Sequence, residues 1–419
     1  MKVMKDSGIA WVGIIPSHWI IHPVYYYFGE RKNKNKFGQE ENLLSLSYGK
    51  IIRKDINTSE GLLPESFNTY NIVEKGDIVI RPTDLQNDKR SLRTGLVQER
   101  GIITSAYICL KPIKDIDSRF FNYQLHSYDV IKVFYNMGNG VRQGLNFSEF
   151  SHLLVFEPPL DEQKRIADYL DAKCAEIDAL TADIQAQIDT LEQYKRSVVF
   201  SAVSHGTAPS RMKKTESDVW TTIPSNWELA DIKYLFEIVK RIAGKEGYDI
   251  LSVTQKGLKV KDISSNEGQI ASDYSGYQFV YPTDFVMNHM DLLTGWVDCS
   301  TQFGVTSPDY RVFRLCDKEQ NNLHYYKYVM QCCYMCRIFY SLGQGVSQLG
   351  RWRLQTSVFN NFKAPVPPTD KQKEIAEYLD NKCAEIDAII DQKNEQLSAL
   401  DAYKKSLIYE YITGKKEVK

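Results

Sequence analysis

Hydrophobic positions along the chain fall into two rhythms. From Asp161 to about Ser201 they recur at Leu170, Ile177, Ile184, Leu191 and Val198, a seven-residue step, with Ile166, Leu180 and Ile188 widening the stripe. A second such stretch runs through Leu379, Ile386, Leu400 and Leu407, but Lys393 stands where Ile184 stood. Pro158-Pro159 and Pro367-Pro368 precede the two stretches and place their helix starts, because proline disfavours a helical residue before it. A helix of such length is a rod of roughly 60 Å, at 1.5 Å per residue. Neither rod hides its stripe alone, so the two are expected to pack on each other or on a partner. Elsewhere the pattern shortens to strands at Ile78–Ile80, Gly101–Thr104 through Ile108–Leu110, and Leu153–Phe156, bounded by Gly, Asp and Pro. One internal helix is predicted after Asp117 or Ser118, through Phe120, Phe121, Leu125, Tyr128, Ile131 and Tyr135. Its counterpart follows Asn321 or Asn322 and runs from Leu323 to Tyr340.

The chain says nearly the same thing twice. Ile15-Pro16-Ser17-His18-Trp19 returns as Ile223-Pro224-Ser225-Asn226-Trp227, and the box Asp161–Leu170 returns as Asp370–Leu379. Trp19 and Trp227 are 208 positions apart, Leu170 and Leu379 209, so the repeat is a domain-sized duplication and not a solenoid unit. Agreement is high at the module edges and thin between them. There Leu44-Ser45-Leu46-Ser47 answers Leu251-Ser252-Val253-Thr254, Thr94-Gly95-Leu96-Val97 answers Thr294-Gly295-Trp296-Val297, and Gly138-Asn139-Gly140-Val141 answers Gly343-Gln344-Gly345-Val346. A shared scaffold carries two divergent α+β inserts.

The entry boxes with Trp11 and Trp220 upstream, the Pro-Pro-x-Asp-x-Gln-Lys-x-Ile-Ala box opening each long helix, and the closing Tyr411-Ile412-Thr413-Gly414-Lys415-Lys416 resemble the specificity subunit of type I restriction-modification systems. The resemblance covers the whole chain. It implies two tandem α+β target-recognition domains, residues 1–160 and 206–368, each reading one half of an asymmetric, interrupted DNA site. Two spacer helices, 161–205 and 369–419, would separate them, pack as an antiparallel coiled coil and set the distance between readers. It implies partners: double-stranded DNA, two methyltransferase subunits and restriction or translocase subunits. It implies no catalysis and no cofactor in this chain, with S-adenosylmethionine, ATP and Mg held by the partner subunits.

Composition changes this picture little. The net charge of −1 hides a polarity: residues 1–160 hold 20 Lys and Arg against 17 Asp and Glu, and residues 201–368 hold 18 against 16. The helical segments reverse the sign, with 5 against 9 in residues 161–200 and 9 against 11 in residues 369–419. A mildly basic insert suits phosphate and an acidic helix suits protein, but so small an excess leaves tight non-specific binding to need partner contacts. No run of about 18 apolar residues occurs and no secretory leader pattern opens the chain, so a cytoplasmic protein without a membrane span is expected. Eight cysteines are too few and too irregular for a disulfide framework, and the cluster Cys332-Cys333-Tyr334-Met335-Cys336 lacks a second ligand pair at zinc-site spacing.

Catalytic signatures are missing: there is no phosphate loop, and the paired glycines near 138 and 343 have the wrong spacing for a dinucleotide fingerprint. Base reading then falls to polar side chains in the inserts, since Arg or Lys pairs with guanine and Asn or Gln with adenine in the major groove. In the first insert the candidates are Lys32, Lys34 and Lys36, then Arg81, Lys89, Arg90 and Arg93, and Arg142 with Gln143. In the second they are Lys256, Lys259 and Lys261, then Asn288 and His289, and Gln348, Arg351 and Arg353. Two other readings stay open: an adaptor whose inserts bind proteins, and a specificity subunit serving a fused nuclease-methyltransferase.

Overall fold

The computed structural model describes residues 3–57, 66–83, 85, 92–137, 144–262, 271, 273–345 and 352–418. The chain folds as two units, Met1–Ile184 with Glu395–Lys419, and Gln185–Asn394. Both long helices are continuous: α2, Leu160–His205, and α4, Thr369–Ile412, each leave one unit and end in the other.

Each unit is built on a four-stranded antiparallel sheet. In the first, β1 (Phe28–Glu30), β2 (Ile78–Ile80), β3 (Thr94–Leu96) and β4 (Ile108–Pro112) lie in the order β1-β4-β2-β3. In the second, β5 (Phe236–Val239), β6 (Phe285–Met287), β7 (Val297–Cys299) and β8 (Arg311–Leu315) repeat that order as β5-β8-β6-β7. The registers Ile80↔Thr94 and Met287↔Val297 match, so Thr94 corresponds to Val297 and not to Thr294. The shared Thr-Gly pair misleads by three residues: Gly95 lies within β3, while Gly295 donates its N–H to the Asp291 carbonyl in a turn before β7.

One helix packs on each sheet: α1 (Ser118–Val130), capped by Asp117, and α3 (Leu323–Met335), capped by Asn322. Both end sooner than the sequence suggests, because Lys132 and Arg337 adopt left-handed backbone at φ of 64° and 55° and a short helical turn follows. Ile131, expected on the apolar face, is therefore exposed. Cys332 and Cys333 are buried in the second core beside Tyr325, Tyr326 and Met330.

The long helices complete each core. In the first unit Ile166, Leu170, Cys174 and Ile177 of α2 join Leu407, Ile408 and Ile412 of α4; in the second, Ile375, Ala376, Leu379 and Cys383 of α4 join Val199, Ala202 and Val203 of α2. The two helices are antiparallel within each unit. Asp178 meets Lys404 and Tyr169 stacks on Tyr411 in the first, and Lys195 meets Asp387 and Gln187 meets Lys393 in the second. Of the seven-residue stripe, Leu170, Ile177, Ile184, Leu379, Ile386 and Leu407 are buried, whereas Leu191, Val198 and Leu400 are half-buried. Leu180 faces solvent and does not widen the stripe.

Glycine ends both rods. Gly206 follows α2 at φ +83°, and a Cβ there would lie 3.3 Å from the Trp227 ring. Gly414 follows α4 at φ +67°, and a Cβ there would run into Pro16 and the Trp19 ring. Left-handed backbone costs a side-chain-bearing residue about 1–2 kcal/mol, and here the entry tryptophan also needs the space. The Pro-Ser-x-Trp box of each module is thus the seat for a helix end, which explains why that box is repeated.

Candidate nucleic-acid interface

Each insert is fastened at its foot in the same way. Gln163 of α2 accepts from the Asp117 N–H at 2.9 Å and donates to the Pro158 carbonyl at 2.9 Å, while Gln372 of α4 accepts from the Asn322 N–H at 2.7 Å and donates to Pro367 at 2.9 Å. Tyr123 donates to Asp171 at 2.8 Å and Tyr328 to Asp380 at 2.7 Å. In each sheet a buried aspartate, Asp77 or Asp284, pairs with Arg31 or Arg241 and also accepts a backbone N–H three residues earlier, from Glu74 or Tyr281. Burial pushes the Asp77 carboxyl up despite that arginine. These repeated polar locks orient each insert on the helix that follows it.

The polar candidates are spread over the connections and the hairpin Leu251–Val260. Lys32 and Lys36 are exposed; Lys32 pairs with Glu30 at 2.8 Å, and Lys34 donates to the Thr69 carbonyl at 3.0 Å from a half-buried position. Lys256 and Lys259 are exposed and Lys261 half-buried along the hairpin Leu251–Thr254 and Gly257–Val260. Arg81 and Asn288 are half-buried at the starts of the β2–β3 and β6–β7 connections, and Arg353 is exposed and bonded through its backbone to Gln344. Lys89, Arg90, Arg142, Gln143, Gln348 and Arg351 lie outside the described residues.

Two candidates are corrected. Arg93 is fully buried at the end of the β2–β3 connection, where its guanidinium donates to the Thr83 carbonyl at 2.5 Å and the Tyr135 hydroxyl at 3.1 Å. Its backbone N–H binds the buried Asp129 carboxylate. Arg93 fastens the loop from within and presents no donor to a groove; its polar neighbours in sequence disguise a core residue. His289 is also buried, and burial together with the charges of Arg311 and Arg353 pushes its imidazole down to about 4, so it is neutral at physiological pH. It is a packed side chain beneath the β6–β7 connection. Sequence reasoning missed Arg311, whose place at the start of β8, before Val312 and Phe313, makes it look like a solvated strand charge.

Among the described residues no group of His, Cys, Asp and Glu is placed to hold a metal ion. No described helix is long and apolar enough to cross a membrane. What the geometry offers is two related platforms with different polar tips, each mounted on a pair of antiparallel helices.

The type I restriction modification DNA specificity domain matches this chain twice, over residues 28–190 and 224–399. The chain belongs to the type I restriction-modification specificity subunit family. Two curated relatives come from Methanocaldococcus jannaschii. The putative type I restriction enzyme MjaX specificity subunit is 22% identical over 97% of this chain and 96% of its own length. The type I restriction enzyme MjaVIII specificity subunit is 23% identical over 77% and 76%. Among solved structures, a chain from work on complex assembly and conformational transition of the type I R-M system shares the fold, with a TM-score of 0.65 and 13% identity over 95% of this chain and 98% of that one.

Proposed function

We propose that this chain is the non-catalytic DNA-reading subunit of a type I complex, with each insert recognising one half of an asymmetric bipartite site. The observation that carries the reading is the contrast within the duplication. One set of polar locks is repeated, with glutamine acceptors at 2.9 and 2.7 Å and tyrosine donors at 2.8 and 2.7 Å, under connections of different length and chemistry. The β2–β3 connection spans residues 81–93 and the β6–β7 connection residues 288–296, so the two tips present different donors. Two different readers on a common mount suit a target whose halves differ. The acidic faces of α2 and α4 would dock two methyltransferase subunits, restriction subunits would join through them, and the antiparallel rods would set the gap between half-sites. S-adenosylmethionine, ATP and Mg would belong to those partners. The reading gives the chain a cytoplasmic place of action.

Exchanging residues 1–159 for the matching part of a relative of different specificity tests it. Methylome sequencing of a host carrying the complete system should show one half-site replaced and the other retained. A change in both halves would overturn the two-reader reading, and an unaltered methylome would favour the adaptor reading.

A further inference from the structure

The second unit contains a buried cation with no acid bonded to it among the described residues. Arg311 opens β8 and is 4% exposed. Its guanidinium carbon sits 4.6 Å from the Phe359 ring centroid, and Nη2 donates to the Leu354 carbonyl at 3.1 Å and to Thr356 Oγ1 at 3.2 Å. Nη1 faces the Met287 sulfur at 3.9 Å. All four partners are neutral. Burial lowers the guanidinium to about 10, which still leaves it charged at physiological pH.

Its described surroundings add positive charge. The exposed Arg353 directly precedes Leu354, whose carbonyl accepts from Arg311, and its charge acts on both Arg311 and His289. The Leu354 N–H donates to the His289 carbonyl at 2.9 Å, and His289 Nδ1 is buried without a hydrogen-bond partner among the described residues. The one acid of the β6–β7 connection, Asp291, is occupied by the Leu293 and Thr294 N–H groups at 3.0 Å. Between Gly345 and Trp352 the sequence has no Asp or Glu.

The first unit buries no cation at this place: buried Ile108 faces Ile80 where Arg311 faces Met287. Its helix does carry an acid there: Asp129, at the twelfth position of α1, is buried and accepts the Arg93 backbone N–H. The twelfth position of α3 is Tyr334, whose hydroxyl donates to the Asn288 carbonyl at 2.8 Å. The second unit thus has a buried arginine and no acid at that place. An uncompensated buried charge is strongly destabilising, and an anion placed against it relieves the penalty.

We propose that Arg311 and Arg353 form an anion pocket in the second reader that takes one backbone phosphate of the bound DNA, a contact the first reader does not make at this place. The pocket itself rests on the side chains above; that the phosphate belongs to DNA rests on the function proposed here.

Two measurements separate these layers. In the first, thermal unfolding of the full chain is followed in sodium phosphate and in sodium chloride at matched ionic strength, for the wild type, Arg353→Gln and Arg311→Met. Phosphate strengthens burial in every variant alike, so the readout is the excess stabilisation of the wild type. A clear excess, lost in Arg353→Gln, is expected; equal phosphate effects in wild type and Arg353→Gln overturn the pocket, even if Arg311→Met fails to fold. In the second, the assembled modification complex is titrated with duplex DNA carrying its methylation site over a range of salt. Loss of one phosphate contact should reduce the slope of log K against log salt by about 1 for Arg353→Gln, with the site preference unchanged. An unchanged slope overturns the assignment to DNA phosphate. Absence of DNA retention by the wild-type complex overturns the DNA reading, and the first measurement then decides the pocket alone.

Discussion

At the foot of each insert the two copies share their glutamine and tyrosine locks, and a short way up the sheet they part. Gln163 and Gln372 bridge the same two backbone positions, and Tyr123 and Tyr328 reach the same aspartate of the following helix. Along the antiparallel strand pairs Asn71–Val73 with Gly101–Ile103 and Gln278–Val280 with Gly304–Thr306 the chemistry changes kind. Arg100, which precedes Gly101–Ile103, binds Glu40 at 2.9 Å and Glu74 at 2.6 Å. Phe303, which precedes Gly304–Thr306, instead stacks at 5.6 Å on Phe279 and packs on Tyr281 and Tyr248. Tyr281 stands where Glu74 stood, directly after the paired strand. A salt-bridge network has been exchanged for an aromatic cluster while both neighbours keep their backbone pairing. The helices therefore constrain the foot, because each foot must fit a rod, whereas the upper sheets are answerable only to whatever they touch outside.

The strongest way to break that comparison is to empty the foot. Trp19 is fully buried, stacks on Phe156 at 5.6 Å, meets Phe120 edge-on at 6.1 Å and donates to Glu162 at 3.3 Å. Trp19→Ala should destabilise the first unit by about 3–5 kcal/mol, the range for truncating a large buried aromatic. Urea denaturation followed by circular dichroism measures it. A loss below about 1 kcal/mol would show that the helix end does not depend on its seat.

Arg93→Ala probes the tip from beneath and should come next, at about 3 kcal/mol, since it empties a fully buried site, strands the Thr83 carbonyl and takes a donor from the Tyr135 hydroxyl, while the backbone N–H to Asp129 remains. Its signature on DNA is the sharper test. Methylation should weaken across the whole first half-site with no base position relaxed, as befits a loop that has lost its fastening. Relaxation at a single position would return Arg93 to the groove.

How much of this is legible in the sequence follows from which interactions leave a pattern. The rods are legible because a seven-residue apolar step and a preceding Pro-Pro pair are local signals, and the duplication marks the modules. The internal helices are legible at their starts, where Asp117 and Asn322 cap, but not at their ends. Nothing in the types of Lys132 and Arg337 announces left-handed backbone. The locks are present as repeated Gln and Tyr residues, yet their partners are some 50 residues away along the chain. Arg93 and Arg311 escape for one reason: a buried arginine and a solvated one have the same letter. Only the carbonyl groups and rings around them, brought together by distant segments, tell the two apart.

The smallest predicted effect is the finest test of equivalence between the units. Tyr123→Phe and Tyr328→Phe each remove one hydrogen bond to a half-exposed aspartate, so each should cost about 1 kcal/mol, with the two values within about 0.5 kcal/mol of one another. Burial first, and the neighbouring carboxylate as well, hold both hydroxyls above the usual tyrosine range. A phenol whose folded-state pKa is raised stays protonated while its unfolded counterpart ionises. Its contribution is therefore intact below about pH 10 and declines as pH rises beyond that value. Denaturation midpoints taken at about pH 7 and about pH 10.5, either side of that value, should fall for the wild type between the two conditions and fall less for either variant. If one variant loses stability and the other does not, the two feet are similar in shape only, and the helices hold the inserts by different forces.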